Sequence, residues 1–225
     1  MHFSWASSFS FDSYCVLDLE TTGLNPQNSE ILEVGILKIR QGVPVSKMEV
    51  LIRPRTLPVP AAITSLTGIS TEMVKDAPSI EEVSYWIWDF IGEDPILAYN
   101  ARFDLGFLDV HAPKGVPDHP YLDILKLARI CFPELKSHKL SNMTSYLNLS
   151  INTHRSMADC QAEYELYEIC KKKLAPYSDE QIRAMIVRDD ARRKEAWRAK
   201  KLAHQARSNS AGNKKRPRIE WPAQG

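Results

Sequence analysis

The chain has 225 residues, 44% hydrophobic and 25% charged. This is ordinary globular usage, and it excludes a wholly disordered, collagen-like or coiled-coil chain. The formal net charge of +1 hides a strong asymmetry: residues 1–170 carry 13 Lys+Arg against 22 Asp+Glu, residues 171–225 carry 16 against 6. An acidic body with a basic tail points to an anionic partner. No apolar run approaches the ~18 residues of a membrane span, so no membrane partner is expected. The opening MHFSWASSFSFDSY lacks a basic-then-apolar leader pattern. Four cysteines (Cys15, Cys131, Cys160, Cys170) form no CxxC pair, which leaves thiol-metal and redox motifs unsupported. Reduced thiols and a cytoplasmic location are the expectation.

In chain order, residues 1–12 form an arm without a readable role. Tyr14–Leu19 is an apolar run that ends in the polar turn Thr21-Thr22-Gly23-Leu24-Asn25-Pro26. Ile31–Arg40 and Lys47–Pro54 follow, separated by Gly42 and Pro44, and the three read as an antiparallel meander. Pro58 and Pro60 mark a loop. Ser79–Ile91 carries Ile80, Val83, Ile87 and Ile91 at helical spacing. Pro95–Tyr99 is a short strand and Ala101–His111 a helix. Tyr121–Cys131 starts extended and turns helical, Leu140–Leu147 is a short helix, and Arg155–Leu174 a longer one with Cys160, Tyr164, Tyr167 and Cys170 on a common face. A meander followed by alternating strands and helices implies an α/β fold, a mixed sheet with helices on both faces. The body is expected to end near residue 175. Beyond Pro176, Ser178 is a candidate N-cap for a helix over Asp179–Ala206. Its apolar face (Ile182, Met185, Ile186) fades into a basic stretch, and Ser208–Gly225 is expected to lack regular structure. Trp197 and Trp221 lie in basic sequence, where stacking on bases competes with a simple solvated tail. Trp86 and Trp88, two residues apart on one helix, cannot share a face.

Three acidic segments carry the chemistry. Asp18-Leu19-Glu20 ends the first strand, where residues i and i+2 share a face. Two carboxylates aimed together repel unless a cation lies between them. Alone the pair says little, because chance gives roughly one Asp-x-Glu in a chain of this composition. Asn100-Ala101-Arg102-Phe103-Asp104 follows the strand Pro95–Tyr99, and α/β sites gather at the carboxyl ends of strands. The competing reading makes Asn100 an N-cap and Asp104 an exposed first-turn acid. His154-Arg155-Ser156-Met157-Ala158-Asp159 opens the last body helix. It reads either as a capping-box-like Ser-x-x-Asp beside a loop histidine, or as a metal-binding acid beside a base.

The ordered combination DLETTG, NARFD and HRSMAD resembles the three exonuclease motifs of the DEDDh 3′–5′ exonuclease superfamily, with the nearest likeness to proofreading exonucleases of the DNA polymerase III epsilon-subunit type. The resemblance spans about residues 13–174. It implies a ribonuclease H-like fold, a five-stranded mixed sheet flanked by helices, over 13–175, with 176–225 as a basic helical and then irregular extension. It implies Asp18, Glu20, Asp104 and Asp159 as metal ligands and His154 as general base. Thr21, Thr22, Gly23 and Leu24 would face the terminal nucleotide, and Asn100 and Phe103 would line the substrate channel. Leu66-Thr67-Gly68-Ile69 stands where many relatives have His-Gly-Ile, so a phosphate contact by Thr67 would be uncharged. Acids without cysteine ligands favour two hard cations, Mg²⁺ or Mn²⁺. The implied reaction is hydrolysis of the last phosphodiester of single-stranded or frayed DNA, in proofreading or repair. An exoribonuclease of the oligoribonuclease or RNase T kind, and a non-catalytic nucleic-acid or polymerase-associated binding module, stay open. A DNA polymerase is a candidate partner. Gln181–Ile186 faintly resembles a sliding-clamp peptide, but helix packing explains its apolar residues.

Overall fold

The computed structural model describes the backbone of residues 4–113, 115, 117–150 and 154–212. The chain divides into two compact units, 1–183 and 184–225. A two-residue strand β1 (Ser4–Trp5) precedes β2 (Tyr14–Thr21), β3 (Ile31–Arg40) and β4 (Val43–Leu51). Helices α1 (Ala61–Thr67), α2 (Thr71–Val74) and α3 (Ile80–Ile91) follow. Then come β5 (Ile96–Ala98), α4 (Arg102–His111), β6 (Pro120–Asp123), α5 (Ile124–Cys131), α6 (Leu140–Leu147), α7 (Ser156–Leu174) and α8 (Asp179–Gly212).

The sheet order is β1-β6-β5-β2-β3-β4. Strands β2, β3 and β4 form the expected antiparallel meander, while β5 and β6 run parallel to β2. The expected five-stranded mixed sheet is therefore present, and the arm adds β1 at its edge, parallel to β6. The β3–β4 hairpin turns at Gln41 and Gly42, with φ of 51° and 73°, the left-handed pair that a tight two-residue turn requires. Strand β4 begins at Val43, four residues before the expected start. Pro44 does not stop it, because β4 is an edge strand and a missing N–H costs an edge little.

Alternation along β2 sets the site. Leu17 and Leu19 enter the main core, which α3 and α4 cover with Val83, Ile87, Ile91, Leu105 and Leu108. Asp18 and Glu20 point to the other face. Helix α3 starts as a capping box, with Ser79 and Glu82 reciprocally bonded. Trp88 packs against the core and Trp86 is 58% exposed. The Pro58–Pro60 segment leads into two helices that the sequence does not announce. Helix α1 ends at Gly68 in the left-handed region (φ 73°), and α1 and α2 flank a second small core of Leu32, Val59, Ile69 and Val74.

The Ser178 cap is present: Gln181 N–H donates to Ser178 Oγ, and Ser178 N–H to Gln181 Oε1. Ile182 is buried, as helix packing rather than an exposed clamp peptide requires. Helix α8 continues to Gly212, so the expectation of irregular chain from Ser208 fails over 208–212. Residues 213–225, with Trp221, lie outside the described residues. All four cysteines are free. Among the described residues no helix is long and apolar enough to cross a membrane.

Candidate active site

Each acidic segment sits at the end or start of an element. Asp18 and Glu20 stand near the carboxyl end of β2. Just past Glu20 the β2–β3 register shifts, Glu20 facing Glu33 and Thr21 facing Ile31. Such a bulge re-aims side chains at the end of a strand. Strand β5 ends at Ala98, and Asn100 follows with φ 67°. Its N–H donates to Asp123 Oδ1 at 3.1 Å, and the same oxygen accepts the Leu125 N–H that starts α5. Asp123, which sequence reasoning passed over, thus ties the ends of β5 and β6 together. Asn100 is no N-cap; Ala101 holds that position without a side-chain bond. Asp104 is not an exposed acid either. It is 3% exposed, and its Oδ1 accepts the Leu19 N–H at 3.2 Å, which locks α4 onto β2 between the two acids of that strand.

At the third segment the capping-box reading fails. Arg155 is the N-cap residue and makes no side-chain cap bond, while Ser156 and Asp159 are buried inside α7. His154 is exposed, with φ 54°. Ligand atoms of Glu20, His154 and Asp159 lie within 4.8 Å of one another. Asp18 Oδ2 is sealed from solvent without a hydrogen-bond partner. So is Oε2 of Glu163, one helical turn after Asp159 and 1% exposed. Glu163 is a fifth carboxyl of the cluster that no motif reading supplied; its only sequence signal is the i+4 spacing from Asp159.

Burial and mutual repulsion set the protonation of this cluster. Burial pushes the Glu20 carboxyl up to about 8, helped by Asp159 and Glu33 and opposed by Arg155. Burial holds Asp18 well above the usual carboxylate range, and Glu163, Asp104, Asp159 and Glu20 add to it. Asp104 is raised by burial and drawn back by the backbone N–H groups it accepts. A carboxyl with a folded pKa above its unfolded value binds a proton in the folded state that the unfolded chain has released, so stability falls as pH rises between the two values. For Glu20 the window runs from 4.5 to about 8. With chelator present, the thermal midpoint should fall from pH 5 to pH 8, by a few kcal/mol of stability at about 1.4 kcal/mol per pKa unit. A divalent cation should flatten that slope, because it replaces the protons. A midpoint that rises over this range with chelator present would contradict the assignment of buried, like-charged acids.

Of the residues expected to meet substrate, Thr21 to Leu24 form the turn that follows Glu20, and Asn100 and Phe103 flank the start of α4. Thr21 Oγ1 donates to the Gly23 carbonyl at 2.6 Å, and Glu30 N–H donates to Thr22 Oγ1 at 2.8 Å. A Cβ on Gly23 would lie 2.6 Å from Ser29 Oγ, so a larger residue there would require the Ser29 hydroxyl to move. His111 Nε2 bridges the Pro26 and Ser29 carbonyls and pins the loop to α4. Leu24 stands 87% exposed at the tip of the loop. Phe103 is half-buried, its ring 4.9 Å from that of Phe107. Thr67 corrects the expectation. It is buried at the end of α1, its hydroxyl donates to the Ile63 carbonyl and accepts the Ile69 N–H, and nothing is left for a phosphate.

A family model described as an exonuclease family, RNase_T, matches residues 15–167. The PolC-type DNA polymerase III of Clostridium perfringens is 34% identical over 175 residues, 75% of this chain and 12% of that protein. The chain thus spans about an eighth of the length of that relative. Among solved structures, Exonuclease X in complex with 5′ overhanging duplex DNA aligns over 77% of this chain and 99% of its own, with 24% identity and a TM-score of 0.58. The nuclease domain of 3′hExo, a DEDDh family member bound to rAMP, aligns over 72% and 93%, with 19% identity and a TM-score of 0.61. The three motifs, the mixed sheet that positions them and the match over residues 15–167 place the chain in the exonuclease family.

Proposed function

We propose that the chain is a 3′–5′ exonuclease that hydrolyses the terminal phosphodiester of single-stranded or frayed DNA and releases 5′-mononucleotides. The observation that carries this reading is the convergence of Glu20, His154 and Asp159 beside an Asp18 oxygen that is buried and unpartnered. A carboxylate sealed without a partner is costly unless a proton or a cation neutralises it. The donor set is carboxylate oxygen plus one imidazole, with no thiolate, and it suits Mg²⁺ or Mn²⁺. Asp18, Glu20 and Asp159 would hold one ion, and Asp18 with Asp104 a second. Bound there, the cations would acidify the attacking water and neutralise charge on the phosphate and leaving oxygen.

The side chains do the rest. His154 faces solvent beside Glu20 and Asp159, so its imidazole accepts the water's proton and passes it to bulk. The new bond joins the water oxygen to phosphorus and the bond to the 3′ oxygen breaks. That oxygen takes a proton from solvent and leaves a 3′-hydroxyl on the shortened strand. The turn at Thr21–Leu24, together with Asn100 and Phe103, cradles the terminal nucleotide. Matched single-stranded DNA, mismatched duplex DNA and RNA, each with Mg²⁺ and with Mn²⁺, test the substrate. DNA cleaved faster than RNA supports the reading, and RNA cleaved faster moves the protein to the exoribonucleases. The likeness to PolC-type DNA polymerase III supports a DNA polymerase as partner.

The basic helix is the proposed contact for longer strands. Lys194, Arg198, Lys200 and Lys201 are exposed on α8, and Lys201 Nζ stands 5.1 Å from the Trp197 ring centroid. Each phosphate neutralised on a single strand contributes about −0.7 to the slope of log affinity against log salt. Replacing all four by Gln should flatten the slope for a 30-mer by about 3 and leave dinucleotide turnover unchanged. Equal slopes for the two proteins would remove nucleic acid as the partner of this helix.

A further inference from the structure

The histidine motif contains a residue that the proposed chemistry does not use. Arg155 lies between His154 and the helix that carries Asp159. Its guanidinium grips Glu33 on β3 in a fork, Nε at 3.1 Å from both carboxylate oxygens and Nη2 at 2.6 Å from Oε1. Glu33 is fully buried. Its Oε2 also accepts the Ser156 N–H and the Ser156 hydroxyl, both at 2.9 Å. Two residues further along β3, Gly35 leaves room for the same serine: a Cβ there would lie 2.7 Å from Ser156 Cβ and Oγ. Residues 155 and 156 are thus fastened to β3 by a planar ion pair, two further hydrogen bonds and a steric slot. Glu33 faces Glu20 across the β2–β3 pairing, so the fastening point sits beside an acid of the site.

We propose that Arg155, latched by Glu33, is a positioning residue that fixes the His154 ring over Glu20 and Asp159. His154 occupies the left-handed backbone region, which costs a non-glycine residue on the order of 1–3 kcal/mol and persists where the surroundings over-determine it. The latch one residue away supplies that constraint. A bidentate fork fixes orientation as well as distance, and a general base displaced by about 1 Å can lose about 10²-fold in rate. Stability alone is a weaker account: only Glu33 of the pair is buried while Arg155 is half-exposed, and an ion pair with a buried member is often replaceable by apolar groups at no net loss.

The inference rests on the exonuclease reading, and its test separates the two. The full chain would be compared with Arg155→Lys, Arg155→Met and the double variant Glu33→Gln/Arg155→Met. The double variant leaves no unpaired buried charge and keeps an acceptor for Ser156. Turnover, KM, the thermal midpoint and the His154 imidazole resonance would be followed, the resonance assigned by its loss in His154→Ala. All three variants should lower kcat by about 10²-fold with KM little changed. Lysine should not rescue, because it cannot form the fork. The His154 resonance should shift or broaden while the double variant melts within a few degrees of wild type. A double variant with wild-type kcat and an unmoved resonance overturns the proposal. So does a rate loss that merely follows the folded fraction. A wild-type protein without exonuclease activity would refute the function instead, and the resonance would still decide whether the latch holds His154.

Discussion

Asp18→Asn is expected to lower turnover by about 10³-fold or more and to leave the fold intact. One oxygen of Asp18 is sealed from solvent without a hydrogen-bond partner. In the proposed site this carboxylate serves both cations, so its loss removes stabilisation of the attacking and leaving oxygens together. One preorganised electrostatic contact is typically worth 10²–10³ in rate, and Asp18 supplies two. An amide is a poor ligand for hard cations, so the nearly identical shape of asparagine offers no rescue. Stability should move the other way. Glu163, Asp104, Asp159 and Glu20 all raise the Asp18 pKa, and replacing the carboxyl by a neutral amide relieves that repulsion. The chelated variant should melt at or above the wild-type midpoint. Activity within tenfold of wild type would remove Asp18 from the shared position.

His154→Ala is expected to lower kcat by about 10²–10⁴-fold, the usual contribution of a general base, with cation affinity nearly unchanged. The imidazole lies close enough to Glu20 and Asp159 to share an ion with them, so this substitution separates two chemistries that the geometry alone permits. Calorimetric titration with Mn²⁺ in the presence of a mononucleotide decides between them. If affinity collapses with the rate, His154 is a ligand and the base lies elsewhere.

Most of the fold was legible because its periodic elements are long or well punctuated. Ile31–Arg40 and Leu140–Leu147 have the bounds that their residues suggest. The helical spacing of Ile80, Val83, Ile87 and Ile91 marks the face of α3 that is buried. The failures have local causes. Helices of seven and four residues, α1 and α2, are too short to show a 3.6-residue period, and Pro58 and Pro60 signal a loop at the same place. Pro44 reads as a strand boundary unless the strand is known to be an edge.

The five motif residues were implied by the resemblance of three ordered motifs to a known family, each motif being ambiguous by itself. Glu33 and Glu163 could not be named, since a buried carboxyl and a solvated one look alike in a sequence. The strand ILEVGILKIR did hold one clue, an acid inside an otherwise apolar run. The hydroxyl of Thr67 was misread because its fate depends on the last turn of a helix that the sequence did not reveal.

One labelling experiment reads both the direction and the chemistry of cleavage. A single-stranded DNA carrying a different label at each end would be incubated with the protein and Mg²⁺ or Mn²⁺, with a chelated control, and the products resolved over the first turnovers. The 3′ label should be released at once in a 5′-mononucleotide. The 5′-labelled strand should shorten one nucleotide at a time and keep a 3′-hydroxyl, and chelator should stop both. Internal fragments, early release of the 5′ label, or cleavage that continues in chelator would contradict metal-dependent 3′–5′ exonucleolysis.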